Sequence, residues 1–217
     1  MFKDFLMTET EQYVIEAMSQ LSKGNDGDET YHPLYKAWRS YQSQPSQLKK
    51  IKDYGQYGMG LLIFLSYGTI TDIDDQQQIA SLAYFFISKA IQKSPDNINL
   101  YKNRVLLLKN YHNAFEYTVS SVVNNNETDP FDLFFGGRFT ARDAIYKMTF
   151  SDLHRNPTLL QIDVFSENYN ELCSKISTNF FGNNETTGTI LAEGNAIHND
   201  ILTYLETKVF IDEDFDF

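Results

Sequence analysis

Four histidines, His32, His112, His154 and His198, are the first residues to weigh for chemistry, because imidazole both binds metals and exchanges protons near neutral pH. No two of them stand three or four residues apart, the spacing that sets two imidazoles on one face of a helix. Asp152 and His154 can meet in a turn, either as a capping contact or as two metal ligands. The single cysteine, Cys173, excludes an internal disulfide and any multi-cysteine metal centre. It stands beside Leu172 in an apolar pattern, which suits an inert buried thiol better than a nucleophile. Asp72, Asp74 and Asp75 begin like a calcium loop, but the sixth position is not glycine and Ala83 occupies the twelfth. Gly136, Gly137 and Arg138 bring exposed backbone amides beside a fork of guanidinium donors. That combination suits either an anion cradle or a tight turn ahead of a helix capped at Thr140. No lysine–serine ending of a phosphate loop follows, and no dinucleotide fingerprint or serine elbow occurs. These residues support no catalytic site, metal centre or cofactor, and the chain is not expected to be an enzyme.

Charge narrows the classes of partner. Eighteen basic residues against 29 acids give a formal charge of −11, unlike a surface built to neutralise nucleic-acid phosphates or to lie on an anionic membrane. The charges are also segregated. Residues 33–52 hold Lys36, Arg39, Lys49, Lys50 and Lys52 without one acid, whereas residues 161–217 hold 11 acids and two lysines. Opposite faces can simply be solvated or attract one another within the fold. Alternatively, the basic stretch binds an acidic peptide, or the acidic third caps a basic partner. The acidic stretch that closes the sequence, residues 210–217, interleaves its carboxylates with Phe and is either docked or free.

Apolar spacing identifies the elements that must position all of this. Thr8 and Glu11 have capping-box spacing, and Val14, Ile15, Met18 and Leu21 then recur on one helical face. A polar loop is expected over 23–30. Pro33 suits the first turn of a second helix carrying Leu34, Trp38 and Tyr41, and Pro45 the start of a longer one reaching Tyr67. Gly55, Gly58 and Gly60 weaken that helix unless a neighbour approaches closely. Further helices are expected over 74–93, 98–109, 114–123, 140–148, 157–176 and 186–208. Alternating strand patterns are scarce, with residues 162–165 and 209–211 the only places for short strands. The expected fold is all-α: stacked antiparallel helix pairs, nine or ten helices in a single domain over 1–217, with a sub-boundary near 124–130. The 17 Phe and 14 Tyr mostly fill the core of such a stack. No apolar run approaches the ~20 residues of a membrane span, and the first residues do not resemble a secretory signal, so a soluble cytoplasmic protein is expected.

Ala83, Ile87, Ala90 and Pro95 reproduce the spacing of the second helix and closing turn of a tetratricopeptide repeat. Small residues there admit a partner helix, the bulky one fills the gap, and proline stops the helix. Tyr101 falls where the next repeat's first aromatic would stand, and Tyr111 with Ala114 is similar to the family's tyrosine turn. The interval from Tyr101 to Tyr111 is shorter than the family's, and residues 68–75 insert a loop. Residues 55–125 therefore resemble a degenerate tetratricopeptide array. The resemblance implies a curved helical stack that binds peptides or proteins on a concave face, without catalysis. Lys102, Asn103 and Arg104 do not have the spacing of the family's carboxylate clamp.

The resulting expectation is a non-catalytic interaction module. Its groove would be lined by the 98–109 helix, with Tyr84, Tyr101, Lys102, Arg104, Tyr111 and Tyr117 as partner-binding residues. One alternative is an acidic inhibitor, of the immunity type, that caps a basic protein. Another is a small-ligand or anion pocket at Gly136, Gly137 and Arg138. No metal, cofactor, nucleic acid or membrane is expected, and self-association stays open.

Overall fold

Helix starts follow local capping chemistry. In the computed structural model, which describes residues 7–111, 141–163, 165–167, 169–170 and 184–211, the Thr8 hydroxyl accepts the Glu11 amide and opens α1, Glu9–Ser22. The expected reciprocal half of that box is absent. Glu11 is buried and sends its carboxylate 41 residues onward, where Oε1 accepts the backbone N–H groups of Lys52 at 2.9 Å and Asp53 at 3.2 Å. This long-range bond explains why one long helix does not run from Pro45. Pro45–Lys50 forms a 3-10 turn, tied to α1 where the Thr10 hydroxyl donates to the Gln47 side chain at 2.7 Å. A new helix, α3 (Tyr54–Ser66), then begins at an Asp53 cap. Glu11→Ala is expected to destabilise this region by about 2 kcal/mol, as two amides lose a charged acceptor; urea unfolding followed through Trp38 fluorescence measures it.

The second helix, α2 (Asp28–Ser43), starts one and a half turns earlier than Pro33 suggests. Asp28 and Glu29 complement the positive end of its dipole, and the Thr30 hydroxyl donates to the Asn25 carbonyl, so the turn closes ahead of the proline. Pro33 sits inside the helix and forfeits one internal hydrogen bond. Asp72 caps α4 (Ile73–Lys93) by accepting the Asp75 amide at 3.0 Å, which gives the first acid of the rejected calcium loop a structural purpose.

The chain divides into two compact units, Met1–Pro95 with Leu205–Phe217 and Asp96–Tyr204. In the first, α1 packs on α2 and α3 on α4, each a helical hairpin, and α3 also touches α1 and α2. The close approach expected at the α3 glycines is present at Gly58 and Gly60. A Cβ on Gly58 would stand 2.7 Å from Ile87 Cγ1 and 2.9 Å from the Ile87 amide nitrogen, and one on Gly60 would stand 2.7 Å from Val14. Ile79 to Ser88 of α4 are all buried, so this helix is covered on every face rather than along one stripe. Tyr57 meets Phe86 edge-on at 4.7 Å in the core, and the half-buried Tyr31 lies 5.6 Å from both the buried Phe64 and the half-buried Tyr67 at its margin.

The second unit contains α5 (Ile98–Asn110), α6 (Ala141–Arg155), a 3-10 turn at Pro157–Gln161 and most of α7 (Asn184–Ile211). The fold is all-α, with no strand among the described residues; residues 209–211 are helical. Fewer helices than the nine or ten expected stand among them. The expected 114–123 helix and the 124–130 boundary lie outside the described residues. Among those described, no helix is long and apolar enough to cross a membrane.

Candidate functional site

Arg104 follows Leu100 and Tyr101 on the inward stripe of α5 and precedes Val105, Leu107 and Leu108, all of them buried. A helix that buries these residues carries Arg104 inward too, and its guanidinium must find a counter-charge there. Asp152 of α6 supplies it, with Arg104 Nη2 to Asp152 Oδ1 at 2.7 Å. His198 of α7 brings Nε2 to 3.5 Å from the same oxygen and 3.2 Å from the Met148 carbonyl. Both neighbours accept hydrogen bonds and cannot donate, so Nε2 carries the ring proton. Three helices thus contribute one ionisable group each, with Arg104 and His198 4% exposed and Asp152 2%.

Burial by itself raises the Asp152 carboxyl, but Arg104 and His198 outweigh it and hold the group below its ordinary range. Burial and then the Arg104 guanidinium disfavour imidazolium at His198, and Asp152 offsets them only in part, so His198 is held below its ordinary value. The cluster can therefore hold charge and tie helices together. A substrate has no access to groups so enclosed.

Beside the triad, α6 and α7 cross at very short range. A Cβ on Gly194 would overlap the Lys147 carbonyl oxygen outright and stand 2.7 Å from its carbon, and Lys147 pairs with Glu193 at 2.8 Å along the same seam.

The residues expected to line a groove fare differently. Tyr84, Tyr101 and Arg104 are buried, and buried side chains cannot line an open groove: Tyr84 belongs to the all-round interior of α4, and Tyr101 lies 5.7 Å beneath the Arg104 guanidinium. Lys102 is exposed and Tyr111 half-buried at the end of α5. Tyr117, His112, Cys173 and the anion candidates Gly136, Gly137 and Arg138 lie outside the described residues. Asp152 does not meet His154, which is exposed; its partner is His198, 46 positions away in sequence. An Arg inside the Leu100–Leu108 stripe was the available signal for the triad.

An open groove of about 330 Å³ lies between α1 and α2, lined by Glu16, Gln20, Asp28, Glu29, His32, Pro33 and Lys36. It sets three carboxylates against one lysine. The basic run 33–52 is consequently not a uniformly basic face, for Lys36 shares this groove with the acids and Arg39 bonds Gln42, which in turn donates to Asp75. Among the described residues no group of three or more His, Cys, Asp or Glu side chains could hold a metal ion.

Compared with protein-family models, curated proteins and solved structures, the chain matches none. The geometry alone carries any functional reading.

Proposed function

We propose that the protein is a non-catalytic interaction module, a series of helical hairpins similar to tetratricopeptide repeats, that docks a basic protein or peptide along α1 and α2. The observation that carries this reading is the solvent-open groove between those helices, where Glu16, Asp28 and Glu29 outnumber Lys36. A net charge of −11 adds a long-range field of the same sign, which speeds encounter with a cationic partner. Gly60 of α3, against Val14 of α1 and Leu34 of α2, brings α3 close behind these two helices and backs the surface. An acidic inhibitor that caps a basic protein is the form of this reading favoured by the groove's charge, ahead of a groove for acidic peptides. A cytoplasmic setting accompanies it.

Affinity capture from the source organism's lysate at low and high salt tests the reading, with Glu16→Lys/Glu29→Lys as the matched control. A specific partner of high pI, released by about 0.5 M salt and lost by at least tenfold in the double variant, is the expected result. Both substituted positions are exposed, so the fold should survive. Capture that ignores both salt and charge reversal would overturn the groove as the site.

A further inference from the structure

We infer that the basic partner presents arginine rather than lysine, seated on a tyrosine platform that continues the α1–α2 groove along α2; the inference rests on the docking of a basic segment proposed above. Asp28, His32 and Tyr35 recur at helical intervals of four and three residues along α2, so groove and platform share one stripe. Tyr35 is 45% exposed, and its ring stacks on Tyr31 with centroids 6.1 Å and planes 24° apart. Tyr31 is packed in turn against Phe64 and Tyr67, each 5.6 Å away, and the Tyr67 hydroxyl donates to the Asp26 carbonyl at 2.6 Å. The platform is therefore held in place before anything binds, and little side-chain freedom remains to be lost. His32, which lines the groove, tilts against Tyr31 at 5.9 Å and joins the two surfaces.

This combination of groups separates the two basic side chains. Asp28 and Glu29 carry exposed carboxylates with no hydrogen bond or ion pair among the described residues, and Glu16 joins them from α1. A lysine ammonium meets such carboxylates as a strongly hydrated point charge. A guanidinium is planar and weakly hydrated, so it lays its face on a tyrosine ring while its edge donates to a carboxylate. Tyr13 of α1 already has a cation above it, Lys36 Nζ at 5.7 Å from the ring centre, whereas Tyr35 has none among the described residues. The occupant is thus an arginine-bearing segment of another protein. A second copy of this chain brings the same net charge of −11 and is repelled.

Fluorescence anisotropy reads the preference, with the full chain and two labelled peptides of about eight residues at about 50 mM salt, Gly alternating with Arg in one and with Lys in the other. The arginine peptide is expected to bind about three- to fivefold more tightly. Tyr35→Leu should bring the two within about twofold, and Tyr35→Phe, which keeps the ring, should retain the preference. Equal binding of both peptides to the wild type, weakened alike by Glu16→Lys/Glu29→Lys, overturns the preference while the acidic-groove reading stands. Binding of neither peptide overturns both. A preference that survives Tyr35→Leu overturns the platform as its source. So does a wild-type dimer in light scattering that dissociates in Tyr35→Leu, which would seat a second copy there. Should Tyr35→Leu not fold, the Tyr35 ring protons of the wild type decide: larger shifts with the arginine peptide support the inference, and equal shifts overturn it.

Discussion

Asp152→Ala is expected to lower the stability of the second unit by about 3–5 kcal/mol. The loss comes less from the broken bond than from what stays behind. Arg104 keeps its charge at any accessible pH, lies buried among Tyr101, Val105 and Leu108, and cannot reach water without unpacking α5. His198 loses a neighbour at the same time. Substituting Arg104→Met and Asp152→Leu together should recover most of that loss, because apolar side chains of similar volume avoid desolvating two ions. Hydrogen exchange in urea over 141–155 and 184–202 measures both variants, with Trp38 fluorescence as an internal reference for the first unit. A deficit under about 1 kcal/mol in the single variant would mean that water reaches the guanidinium and that the pair is not sealed.

Two glycines on one helix should respond in opposite directions. In Gly194→Ala the new methyl overlaps the Lys147 carbonyl, backbone that cannot rotate away, and crowds Ser151 Cβ at 3.1 Å, so α7 must move off α6. The expected cost is about 3 kcal/mol, the upper end of overpacking because the obstacle is main chain. Gly188→Ala meets nothing within 4 Å and only removes backbone freedom from the unfolded chain, so it should stabilise by about 0.5–1 kcal/mol. Thermal unfolding of the two variants beside the wild type gives the sign directly. Equal effects at both sites would mean that α7 does not pack on α6 at Gly194.

Much of the secondary structure was legible beforehand because its causes are local. Thr8 caps α1 from an adjacent position, and the apolar period of 79–91 needs no partner to be read as helical; Asp72 and Asn97 also cap their helices locally, although neither is read as a cap from sequence. Where the reading failed, a distant residue had intervened. Glu11 takes the amides of Lys52 and Asp53 and breaks the helix that Pro45 seemed to open, while α2 begins ahead of Pro33 because its own first turn closes there.

The candidate site was legible in its parts and not in its assembly. Tyr101 and Arg104 stand on α5 as expected, but their surroundings are interior, since periodicity tells which residues share a face without telling which face is covered. The acid-free run of 33–52 is a property of sequence order; across the α1–α2 hairpin it meets Glu16, and the groove is acidic on balance.

By itself, then, the sequence determined an all-α chain, the Thr8 cap of its first helix, its strong net negative charge and the need for close helix approach at Gly58 and Gly60. Only the tertiary structure decided that Arg104, Asp152 and His198 form one buried cluster, and that Glu16, Glu29 and Lys36 border one groove. The physical reason is range. Capping and helical periodicity act over three or four residues and can be read from neighbours, whereas buried charge is settled by which groups meet across 46 or 48 positions of chain, and burial determines whether a charged side chain becomes a surface or a lock.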